Sequence, residues 1–232
     1  MGFMRFRGLV CNLKTSAEVS PMGAPTNNKQ VLRDYRLALY QEHLGTVGLE
    51  FADERNGSDE TDRIDVLGFE RDFIESCEPG SDLGYVLLTN GMSNRRMNVP
   101  TDVDPDTPRR AELIWYVRKP TSQIVTMLRW LAELPFLDNT WFNFGLRVPM
   151  PEPPIAGCEF RTFLFLIPII RRDQELAEAL RIENDPVTLL TVHLISEAEY
   201  QLIRANGLDP LLDLFDEHNY PPIFDPDRPS YI

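Results

Sequence analysis

Tyr85-Val-Leu-Leu-Thr-Asn-Gly-Met-Ser93 is an apolar, β-favouring run that ends in a turn signal, and the rest of the chain is read outward from it. Residues 85–89 predict a strand. Asn90-Gly91 closes it in a tight turn, because both residue types tolerate positive φ. Downstream, Pro100, Pro105 and Pro108 make residues 98–108 a loop, and residues 111–117 form the next strand. Thr121 or Ser122 then caps a helix whose Ile124, Val125, Leu128 and Leu131 stripe lies across the sheet, with Pro135 as its stop. Two β-type runs follow, 141–148 and 160–170, separated by the proline-dense connection 149–154.

Upstream, Val31, Leu32, Tyr35 and Leu39 recur at helical spacing, and Gly45 sits where a C-cap would end that helix. Residues 49–51 and 65–69 are short strand-like runs around an acidic, solvated loop at 53–62. Toward the C-terminus, residues 175–180 have the composition of a short helix or turn, and 189–195 predict a buried strand. Ser196-Glu-Ala-Glu199 is a capping box opening a helix that ends at Asn206-Gly207, and Asp209-Pro210 starts another through Phe215. The expected fold class is α+β: a mixed, mainly antiparallel sheet flanked by helices in a single compact domain over residues 29–217. Residues 1–28 are expected as a weakly ordered lead-in and 218–232 as a Pro-rich tail.

Composition bounds the function. In 232 residues, 43% hydrophobic content is enough to bury a core without disulfides or a metal. The formal charge of -13 argues against a nucleic-acid surface, which needs clustered Lys and Arg. Cys11, Cys77 and Cys158 are scattered and odd in number, giving neither a disulfide framework nor a zinc spacing, so a reducing cytoplasm is expected. The first ten residues lack the apolar core of a secretory signal, and no run is long enough to span a bilayer.

His43, His193 and His218 stand alone without a Cys or second His at ligand spacing, so no metal and no cofactor is expected. His193, inside an apolar strand, reads as a satisfied core histidine. Ser93 lies in no nucleophile elbow, so no catalytic residue is assigned. Trp115, Trp130, Trp141, Phe142 and Phe144 read mainly as core. Charge gives a better lead: residues 173–232 hold 13 acidic residues against Arg181, Arg204 and Arg228. Asp209, Asp213, Asp216 and Glu217 on the last helix would present a negative face able to steer a basic partner.

The order of these segments resembles the Suppressor of fused family in its bacterial single-domain form, over about residues 45–217. The resemblance rests on the turn Asn90-Gly-Met-Ser93, the strand with Glu112-Leu113, the helix with Met127-Leu-Arg-Trp-Leu-Ala132, and Asn139-Thr-Trp-Phe142. It extends to residues 189–195, 197–207 and Leu208-Asp-Pro-Leu-Leu-Asp-Leu-Phe215. It implies an α+β domain that binds proteins and catalyses nothing. For the bacterial form it implies an immunity-type protein that neutralises a toxin or effector by sequestration, with a basic toxin as partner. The binding residues expected are Ser93, Arg95 and Arg96 at the turn and Asp209, Asp213, Asp216 and Glu217 on the helix. Arg95 and Arg96 give the turn a basic edge, where acidic or mixed residues would suit a basic peptide. A carboxylate-dependent hydrolase and an adaptor for endogenous proteins are the alternatives.

Overall fold

A computed structural model describes residues 29–54, 63–73 and 83–232; the expected lead-in at 1–28 and most of the acidic loop lie outside these. The described strands are β1 (Leu49–Phe51), β2 (Asp65–Asp72), β3 (Leu83–Asn90), β4 (Arg110–Val117), β5 (Arg147–Pro149), β6 (Thr162–Leu166), β7 (Arg181–Ile182) and β8 (Asp185–Ile195). The helices are α1 (Lys29–Leu44), α2 (Ser122–Leu137), α3 (Arg171–Ala179), α4 (Glu197–Asn206) and α5 (Asp209–Glu217). Strand order is β1-β2-β3-β4-β8-β6-β5, with β7 paired to β8. The β4–β8 pair is parallel and its neighbours in the sheet are antiparallel, which gives the mixed α+β sheet the sequence predicts.

Helices cover both faces of the sheet, and the strands show it by alternation. On β4, Ala111, Leu113, Trp115 and Val117 point to one face, under Ile124, Val125, Leu128 and Leu131 of α2. Ile114 and Tyr116 point to the other, with Leu32 and Tyr40 of α1 and Leu176 of α3. Period-two side chains on a doubly covered strand must all be inside, and all eight β4 residues are buried. A third cluster packs Leu211, Leu212 and Phe215 of α5 and Ile203 of α4 on Leu164, Leu166 and Ile195. Each fully buried Leu or Phe contributes about 1.5–3 kcal/mol of transfer free energy.

Several local expectations need correction. Pro135 does not stop α2, which runs to Leu137: in the last turn its missing N–H forfeits one bond, while Asp138 N–H still reaches the Leu134 carbonyl. Residues 141–146 are not strand. The Asn143 side chain accepts from Phe144 N–H, Leu146 N–H returns to the Asn143 carbonyl and Gly145 turns at φ 77°, leaving only Arg147–Pro149 extended. The second run shortens to Thr162–Leu166 before Pro168, and α3 is a full helix begun at Arg171. Gly91 alone makes the turn after β3, at φ 147°; Asn90 stays in the strand. Asp53 is buried, accepting from Ile64 N–H, although the loop it opens was expected to be solvated. The 218–232 segment packs against the domain: Tyr220, Ile223, Phe224 and Arg228 are buried, and Phe224 N–H bonds the Tyr116 carbonyl at 2.8 Å.

Candidate functional site

The turn after β3 is built from inside. Gly91 is required there, because a Cβ would run into the Arg63 carbonyl oxygen. Met92–Asn94 then form one 3-10 turn, with Met92 and Ser93 buried. Glu112, on the inner side of β4 and fully buried, gathers the donors of this turn. It accepts Ser93 N–H at 3.0 Å, Ser93 Oγ at 2.6 Å, Gly91 N–H at 3.2 Å and Thr89 Oγ1 at 2.5 Å.

Arg36 of α1, also fully buried, stands behind them, with Nε 3.5 Å from Glu112 and 2.7 Å from Asn90 Oδ1. A carboxylate without water needs this many donors, since an unsatisfied buried charge costs several kcal/mol. Arg36 Nη2 is buried with no hydrogen-bond partner among the described residues. Beside this hub, between α1 and β1, lies a cleft of about 370 Å³ whose lining includes Arg33, Asp34, Leu37, Val47, Glu50 and Asn90.

The expected binding residues divide between two places. Ser93 is wholly inside, so its hydroxyl shapes the turn and presents nothing to a partner in this conformation. Arg95 lies over the Phe136 ring at 3.9 Å. Arg96 is half exposed and paired with Asp185 at 2.6 Å, at the start of β8, where Arg110 joins them at 3.1 Å. Desolvation raises the pKa of Asp185, but hydrogen bonds from Arg96 and Arg110 outweigh that and hold it below the usual carboxylate value. Asp209, Asp213 and Glu217 are exposed and Asp216 half-buried, on the face of α5 opposite Leu211, Leu212 and Phe215. This helix packs on the β6–β8 side with α4, so the structure does not join the basic turn and the acidic face into one cluster.

The second polar centre escaped sequence reasoning. Glu199, the N3 residue of the α4 capping box, is fully buried and takes two bonds from Arg228, at 2.8 and 2.7 Å. Burial raises the Glu199 pKa, but the guanidinium and the backbone N–H groups of Ser196 and Tyr231 bring it below the usual range. His193 beside it bonds Thr191 Oγ1 at 2.9 Å and Tyr220 at 3.2 Å; burial, then the Arg228 charge, lowers its pKa to about 3. It is the satisfied neutral core histidine the sequence suggested. Of the aromatics, Trp115 and Phe142 are core, Trp130 and Trp141 are partly buried, and Phe144 is 37% exposed. A run of Pro and Asp around Arg228 held no local signal, whereas Glu112 stands out as an acid between Ala111 and Leu113 in an apolar strand.

Among the described residues no helix is long and apolar enough to cross a membrane, and no cluster of His, Cys, Asp and Glu is arranged to hold a metal. The fold and these centres define an α+β domain whose buried ion pairs brace surface turns and helix ends. The family model described as Suppressor of fused protein (SUFU) matches residues 60–229. The chain belongs to the Suppressor of fused family.

No curated protein matches it. Among solved structures, it is similar to a SUFU homologue from Neisseria gonorrhoeae FA 1090, at 17% identity and TM-score 0.63, covering 88% of this chain and 98% of that one. The chain in the Sufu–Fu complex structure aligns at 10% identity and TM-score 0.60, over 89% of this chain and 93% of that one. Drosophila Suppressor of Fused aligns at 12% identity and TM-score 0.55, over 86% of this chain and 50% of that one, so the chain spans about half of the Drosophila protein. At these identities the likeness is one of fold.

Proposed function

We propose that this domain is a non-enzymatic, cytoplasmic protein-binding module that neutralises a basic toxin or effector by covering its working surface. The observation that carries this reading is family membership: a relative of the same fold is seen in the Sufu–Fu complex. The surface adds a direction. Asp209, Asp213, Asp216 and Glu217 lie on one side of α5, and such a face raises the encounter rate with a cationic partner. Among the described residues, Ser93 and Glu112 bond each other in the interior and His193 bonds Thr191 and Tyr220. Arg95 and Arg96 form a second contact area at the turn, with Ser93 as its internal support.

Tagged pull-down from native lysate yields the partner, and stopped-flow mixing measures its association rate. The rate is expected to fall at least tenfold from low to high ionic strength for the wild-type chain, and to be nearly flat once the four α5 acids are neutralised to amides. A wild-type rate indifferent to salt sinks the steering argument. A recovered partner that is harmless to cells sinks the toxin.

A further inference from the structure

The last eight residues are attached in an unusual way. Upstream, Phe224 bridges Val117 and is tied to β4. From residue 225 onward there is no helix or strand, and within 225–232 only Arg228 is buried, at 7% exposure. Its guanidinium makes two bonds to the buried Glu199 and one to the Leu194 carbonyl at 3.1 Å. Aromatic rings wall it in: Phe160 at 4.2 Å, Tyr231 at 4.9 Å, Tyr220 at 5.2 Å and Phe215 at 5.9 Å. Three residues on, Tyr231 stacks on His218 at 4.5 Å, and its N–H bonds Glu199 at 3.1 Å. Ser230 meets Ser196 at 2.7 Å.

This is how an extended peptide is held by a domain: one charged anchor in a desolvated cage, one aromatic in the next pocket, and few contacts between. We infer that the Glu199 cage is a peptide-docking site for an arginine with an aromatic residue three positions later. The chain's own Arg228-Pro-Ser-Tyr231 occupies it as a displaceable strap. The occupant shows the specificity. A planar guanidinium satisfies both Glu199 oxygens and stacks on rings, which a lysine ammonium cannot do together. A partner segment of the same pattern takes the site by displacing the strap, so the strap sets a threshold for binding. The inference does not depend on that partner being a toxin.

The test uses the full chain and a labelled synthetic peptide, Phe-Asp-Pro-Asp-Arg-Pro-Ser-Tyr-Ile, which is net acidic and so not drawn to an acidic protein by charge alone. In fluorescence anisotropy, the full-length Arg228→Ala chain, with its cage vacated, is expected to bind this peptide at least 30-fold more tightly than the wild-type chain does. The peptide with lysine in place of arginine is expected to bind at least tenfold more weakly. Equal weak binding by both chains, with the Arg228→Ala circular dichroism unchanged, overturns the proposal; so does equal binding of the two peptides.

If Arg228→Ala does not fold, amide exchange in the wild-type chain decides. Strap amides at Tyr231 and Ile232 exchanging at least tenfold faster than those of β4 and β8 support a displaceable strap, and exchange only with global unfolding overturns it.

Discussion

Glu112–Arg36 and Glu199–Arg228, two of the buried carboxylate–guanidinium centres among the described residues, differ in what they restrain. At one, Glu112 faces Arg36 at a loose 3.5 Å and takes its close bonds from Thr89, Gly91 and Ser93. Both charged residues belong to regular elements, so the centre fixes a turn from within the core. At the other, Glu199 receives both guanidinium nitrogens of Arg228 within 2.8 Å, but Arg228 sits on a segment with almost no other burial. Equal burial of the acid thus serves a rigid turn in one place and a tethered segment in the other. The contrast is what a binding domain needs: a fixed frame with one adjustable margin.

The contrast is broken or sharpened by mutation. Glu112→Ala leaves Arg36 buried without its counter-charge and orphans four donors; it is expected to cost about 4 kcal/mol and to unfold the domain as a whole in urea, with a single transition by every probe. A loss under about 1 kcal/mol would show the hub is not what fixes the turn. Arg228→Ala uncovers Glu199 and is expected to cost about 3 kcal/mol, with exchange protection lost first around α4 and residues 218–232 and α1 spared. Protection lost evenly across the sheet would erase the distinction between the centres.

Gly91→Ala drives a Cβ against the Arg63 carbonyl in a backbone region closed to other residues, for an expected cost of about 2 kcal/mol. A neutral outcome would mean the 63–65 backbone yields.

One pH response sits at the Arg228 end. The folded pKa of His193, lowered to about 3, lies below its unfolded value near 6.5, so the unfolded chain takes the proton first as pH falls. Stability from this group is complete above pH 6.5 and drains by about 1.4 kcal/mol per pH unit toward pH 3. Glu199, also lowered, acts in the same direction at more acid pH. The difference in urea midpoint between wild type and His193→Gln, followed from pH 7 to pH 4, isolates the histidine; a pH-independent difference contradicts it. Smallest of all, Arg96→Ala removes a half-exposed pair with Asp185 and is expected to cost less than about 1 kcal/mol.

Much of this was legible in the sequence, for physical reasons. The capping box at Ser196–Glu199, the Thr121 cap and the turn glycines are local rules, and the structure shows each of them. Nearly continuous apolar, β-favouring runs marked β3, β4 and β8 because the sheet is covered on both faces. What failed were places where distant groups decide. Residues 141–146 have strand composition, but Gly145 N–H is recruited by the Phe165 carbonyl and the chain turns. Arg36 carries no local signal in the sequence of α1, and Arg228 falls in the segment read as tail; each is buried against a carboxylate far away in sequence. Glu112 in an apolar strand and Glu199 in the capping box were the legible traces of these centres.

Growth rescue tests the central claim most directly. The protein recovered with this chain is expressed alone, with the wild-type chain, and with the chain in which Asp209, Asp213, Asp216 and Glu217 are amides. Arrest is expected when it is alone, normal growth with the wild-type chain, and at least tenfold poorer plating with the neutralised chain at equal expression. Growth unaffected by the recovered protein alone, or arrest that the wild-type chain does not relieve, would contradict neutralisation by capture.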